Sequence, residues 1–248
     1  MDNINITGAK IYFEIPVFGG IPITETQVNS VIVLILITAL CLFLTHDLKV
    51  RPTSKRQIIA EWIVEKATNL VNSNMGETFA KSYTPFICAL LSLSAFSSLL
   101  SLVGLYAPTS DLNTIAGWTI LVFGLITFYK IKNGGIGGYL KGFTEPIFIL
   151  TPFNILSEIA TPISMTFRHF GNIISGTVIS TLVYAALAGA SNLLLGWLPG
   201  IFGKIPFLQV GVPAVLSIYF DVFSSLMQAF IFSMLTMLYI ANAAKTEE

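Results

Sequence analysis

Apolar positions in this chain gather into long runs, and polar positions gather between them. Residues 28–46, 83–105 and 114–130 are each continuous enough to read as one helix crossing a membrane, since about 20 apolar residues span the hydrocarbon core. Two further runs, 151–197 and 206–243, are longer than one simple crossing and are interrupted by polar residues. Runs of that length are expected to tilt or break. Residues 54–76 differ in kind. Apolar residues there fall at 58, 59, 62, 63, 67, 70 and 71, which is helical spacing with a charged opposite face. The pattern predicts a surface helix lying along the membrane. The expected fold is a single all-α integral membrane domain over 1–248. It has five crossings, a short outer segment 1–27 and one amphipathic helix, and the last two long helices are tilted.

Composition agrees with the pattern. Of the 248 residues 54% are hydrophobic and only 10% charged, and the mean hydropathy is +0.79. Soluble domains carry about 25% charged residues. Net charge is zero, which gives no footing for a nucleic-acid partner. Cys41 and Cys88 both lie in apolar runs without metal-ligand spacing, so they read as small hydrophobes. No cofactor or metal site is expected. The first 20 residues lack a basic segment followed by an apolar one and do not read as a signal peptide.

The 13 basic residues give a direction. Ten of them fall in the segments after the first and third crossings and in the C-terminal tail, and two, Lys10 and Lys204, fall on the other side. By the positive-inside tendency the N-terminus is outside and the C-terminus inside. The thirteenth, Arg168, lies within a crossing.

Two polar stripes stand out. On helical periodicity Ser164, Arg168, Asn172 and Ser175 share one face of the fourth long run. Ser217, Asp221, Ser224, Ser225 and Gln228 share a face of the last. Serines alone would read as interhelical glue. An arginine and an aspartate at membrane depth need water or partners, and so point to an ion path. A guanidinium keeps its proton even in apolar surroundings, so Arg168 suits a fixed electrostatic gate and not a proton carrier. Asp221 suits ion exchange. His169 points about 100° away from Arg168 and reads as a packing or hydrogen-bonding residue that could titrate. Glu158, ten residues before Arg168, reads as an access-channel group or an interfacial charge. The glycine-rich NGGIGGYLKGF at 133–143 lacks the GK[ST] ending and preceding strand of a phosphate loop, and reads as a flexible turn.

SEIATPISMTFRHFGNIISG (157–176) resembles the signature of the subunit a family of F-type ATP synthases. FDVFSSLMQAFIFSMLTMLYI (220–240) resembles that family's C-terminal helix, and PTSDLNTIAGW and KNGGIGGYLKGFTEPI resemble its outer turn and inner loop. The likeness runs from about residue 24 to 243. It implies a stator subunit with no catalytic role of its own, beside a rotating ring of c subunits, held by b-type peripheral-stalk subunits and the rest of the synthase in a bacterial plasma membrane. It implies two aqueous half-channels that carry H⁺ or Na⁺ to and from a ring carboxylate. Arg168 matches the family's essential arginine, and Asn172 and Gln228 match its flanking positions. Thr177 is neutral where many members are acidic, and Asp221 stands where many have His or Glu. A secondary transporter, the main rival, predicts two halves with corresponding broken helices, and no such repeat is present.

Overall fold

A computed structural model describes residues 8–16, 20–50, 54–145, 147–195, 215–216 and 218–244. Two short strands, β1 (Ile11–Ile15) and β2 (Ile21–Thr24), form an antiparallel hairpin with Phe13 opposite Ile23. The helices follow: α1 (Glu25–Thr45), α2 (Lys55–Met75), α3 (Glu77–Leu99), α4 (Leu112–Gly142), α5 (Thr151–Leu195) and α6 (Ser225–Ala244). A π-helical segment, Ile218–Ser224, leads directly into α6. Five stretches are long and apolar enough to cross a membrane: Glu25–Thr45, Glu77–Val103, Leu112–Gly142, Phe148–Leu194 and Ile218–Ala244. The all-helical membrane architecture expected from the sequence is what the structure shows. The hairpin is an addition, because its alternation is too short to stand out beside the spans.

Three boundaries differ from expectation. The third crossing does not stop at residue 130, for α4 continues to Gly142. The segment read as a flexible turn is helical and broken only at Gly135, whose φ of 68° is one that residues with a side chain rarely adopt. Loop-like composition misled there because glycines weaken a helix without forbidding it. The last crossing is resolved from 218 onward, and 196–214, where its expected start lies, falls outside the described residues. The Ser217–Gln228 stripe is also not one α-helical face. Residues 218–224 wind with wider i→i+5 bonding, so the α-helical period does not carry across them.

α6 is the axis of the bundle. It contacts α2, α3, α4 and α5, and 44% of its spanning window is buried, against 11% for α5. Ser225, Ala229 and Ser233 recur every four residues and are all buried. Small residues at that spacing let neighbouring backbones approach closely. Phe232, Met237 and Ile240 fill the core with Ile87 and Leu90 of α3, Val122 and Ile126 of α4, and Met165 of α5. The second half of α2 joins this core through Val71 and Met75, while Ile58, Ile59, Trp62 and Ile63 in its first half stay exposed. That apolar surface fits a helix resting on lipid.

The helix ends are tied by asparagines. Asn133 Nδ2 donates to the carbonyls of Ala243 and Ala244, at 3.2 and 2.8 Å, closing the end of α6. Asn154 Nδ2 donates to the carbonyls of Phe143 and Glu145 just past α4. At the opposite end Asn29 of α1 donates to the Tyr106 carbonyl at 2.8 Å. Helix-terminal carbonyls have no partners within their own helix, so such side chains supply them. Replacing Asn133 by Ala removes two of these bonds and is expected to destabilise the fold by about 1–2 kcal/mol. The check is a lowered midpoint of thermal unfolding in detergent.

Candidate ion-path site

α5 is 45 residues long, which at about 1.5 Å per residue is roughly 68 Å, against about 30 Å of hydrocarbon. A straight helix of that length lies strongly inclined to the membrane normal. Pro162 within it supplies no N–H, and Thr161 and Thr166 return their hydroxyls to the Ser157 and Pro162 carbonyls.

The stripe on α5 is real and faces outward. Ser164, Arg168 and Ser175 are exposed and Asn172 is half-buried. Phe167, 57% exposed, stands beside Arg168 on the same open side. Arg168 forms no ion pair with any described residue. A permanent charge on an apolar helix is therefore presented on the least covered surface of the molecule.

Asn172 and Ser224 join the two stripes. Asn172 Nδ2 donates to Ser224 Oγ at 2.9 Å, and that hydroxyl lies 3.0 Å from Asn172 Oδ1. The amide also approaches the Ser224 carbonyl at 3.4 Å. This bonding holds α5 against the π-helical segment. A Cβ added to Gly176 would meet Phe220 at 3.5 Å, so the two segments are in contact one turn further on. Asp221 is half-buried within the same π-helical turn. Gln228, only 6% exposed, lies on α6 one turn beyond Ser224. Ser217 falls outside the described residues. Thr177 is exposed and bonds the Ile173 carbonyl.

His169 and Glu158 lie away from this face. His169 is fully buried between α3 and α6. Glu158 takes both carboxylate oxygens to Lys130 Nζ, at 2.7 and 2.6 Å, and Tyr139 reaches it at 3.4 Å. Sequence reading missed Lys130 and Tyr139 as its partners. They come from α4, 28 and 19 residues earlier, and no spacing rule links them. The pair lines a cavity of about 720 Å³ between the ends of α4 and α6 and the start of α5, with Asn133, Asn154 and Asn242 also on its wall. At 34% and 18% side-chain exposure, the pair is only partly hydrated. Removing one partner leaves the other's charge poorly solvated, whereas removing both does not.

A family model described as ATP synthase A chain matches residues 28–241. The chain is 30% identical to ATP synthase subunit a of Desulforamulus reducens, over 90% of this chain and 80% of that protein. It is 31% identical to ATP synthase subunit a of Bacillus pumilus, over 86% and 88% respectively. It is 29% identical to the Propionigenium modestum protein named "ATP synthase subunit a, sodium ion specific", over 90% and 75%.

The Lys130–Glu158 geometry sets one expectation. Lys130→Met and Glu158→Gln should each destabilise by about 1–3 kcal/mol, and the double variant by less than the sum. Thermal unfolding of the four proteins in one detergent reads the coupling directly.

Proposed function

The chain belongs to the ATP synthase A chain family, and from that premise we propose that it conducts the coupling ion, H⁺ or Na⁺, between the two sides of a bacterial plasma membrane and a carboxylate on the rotating ring of c subunits. The observation that carries this reading is the placement of Arg168. It is a charge that cannot be discharged, exposed midway along the longest apolar helix, on a face that nothing else in the chain covers. That open face of α5 is the surface the ring would lie against.

The residues divide the work by their chemistry. The guanidinium of Arg168 attracts the ionised ring carboxylate and favours release of its ion. Being permanent, the same charge repels cations that would otherwise cross between the two half-channels. Ser164 and Ser175 extend the polar stripe to either side of Arg168 and keep it hydrated. Asn172, bonded to Ser224, and Gln228 orient the arginine from its buried side. Asp221 supplies the exchangeable carboxylate of the outer half-channel. Glu158, with Lys130, lines the cavity that opens the inner one. His169 serves the path from behind. The basic ends of α4 and of the α1–α2 connection lie inside by the charge asymmetry, which puts the N-terminus outside and the C-terminus in the cytoplasm. The b-type peripheral-stalk subunits hold the chain against the torque of the ring. The chain itself performs no ATP chemistry, which belongs to other subunits of the synthase.

The test is the assembled synthase in liposomes. Arg168→Ala should reduce ATP-driven ion pumping to background while the complex still assembles, and should raise passive ion leak. Asp221→Asn should slow pumping without raising leak. Normal pumping by Arg168→Ala returns the arginine to a structural role and ends the proposal. Running the unmodified complex in H⁺-only and Na⁺-containing buffers names the ion.

A further inference from the structure

His169 follows Arg168 directly and projects about 100° round the helix from it, into the bundle. It is 0% exposed. Its Nε2 lies 3.3 Å from Ser94 Oγ of α3, and its ring meets Phe232 of α6 edge-on at 5.4 Å between centroids. Ser94 is itself 0% exposed. One turn on, Ser98 donates to the Ser94 carbonyl and shares a hydrogen bond with Thr109, each at 2.9 Å. Thr109 lies in the Pro108–Ser110 turn, which α5 also touches. His169 Nδ1 has no hydrogen-bond partner among the described residues.

A buried imidazole with one idle nitrogen is a costly way to fill space. A leucine would pack the same position without that loss. What the imidazole supplies and leucine cannot is one directional bond at Nε2. α5 needs such a bond. Little of its surface is buried, and apolar contacts do not fix the rotation of a helix about its own axis, because the hydrophobic effect has no direction. Hydrogen bonds do. Asn172 fastens α5 to the π-helical segment, and a single fastening still allows the helix to pivot. A second, on another element, removes that freedom.

We propose that His169 is a positioning residue: its hydrogen bond to Ser94 locks the rotation of α5 and thereby sets the direction in which Arg168 faces the ring. The inference rests on the reading of Arg168 as the fixed charge of the ion path. His169 carries no ion in this scheme. It acts through its neighbour.

Two amides distinguish this role. In His169→Gln the terminal amide reaches about as far as Nε2, so the bond to Ser94 can be kept. In His169→Asn it reaches only about as far as Nδ1, and the bond is lost. In the assembled synthase in liposomes, His169→Gln should pump within about twofold of the unmodified complex, while His169→Asn and Ser94→Ala should each lose about fivefold. The Ser94→Ala/His169→Asn double variant should lose no more than either single one, since all three break the same bond. Full pumping by His169→Asn and Ser94→Ala overturns the proposal. Loss in His169→Gln as deep as in His169→Asn also overturns it, because the imidazole itself is then what matters. Arg168→Ala, run alongside, separates the two readings. If it pumps normally the premise has failed, and if it is inactive while both bond-breaking variants pump fully, only the lock has failed.

Discussion

A guanidinium keeps its charge at any depth in a membrane, so a chain that places one among apolar residues must leave it a polar neighbour. Most features of this molecule follow from how Arg168 is accommodated. It cannot be buried in the core, and Met165, Thr166 and His169 are the α5 residues near it that turn inward instead. It therefore lies on the outer face of α5, and that face has to remain uncovered by the rest of the chain. A helix with one face committed to remaining open has little area left with which to hold itself in place.

α6 compensates for this. Its small residues let α2, α3 and α4 close around it, and its large ones, Phe232, Met237 and Ile240, fill the space between them. α5 is then attached to this rigid body at a few directional points: Asn172 to Ser224, His169 to Ser94, and Glu158 to Lys130. Each bond runs to a different element. The site is thus built from a packed half that does not move and a charged half oriented by hydrogen bonds. The π-helical turn at 218–224 belongs to the junction between them. Its wider winding changes the phase of the last helix at the point where Asp221 and Ser224 meet α5.

Much of the architecture was legible in the chain. The five spans could be read because lipid imposes one simple requirement, a long apolar run, and 28–46 and 151–197 agree with α1 and α5 to within three residues at each end. Helix continuity through Gly134 and Gly135 was not legible, since composition reports turn propensity and not the packing that overrides it. The stripe containing Arg168 was found by periodicity alone and lies on one exposed side as expected. The stripe containing Asp221 was only partly right, because period counting assumes an α-helix and 218–224 is not one.

The sequence by itself determined that this is a membrane protein with an ionisable residue fixed inside an apolar helix, and the order of its motifs pointed to its family. Those properties depend on which residues are present and on spacings within one helix, both of which are local. The tertiary structure decided which faces are covered, that Glu158 is answered by a lysine 28 positions earlier, and that His169 is buried while its neighbour Arg168 is exposed. These depend on where α3, α4 and α6 come to lie against α5. No periodicity within one helix contains that information, because it is set by how the side chains of separate helices fit together.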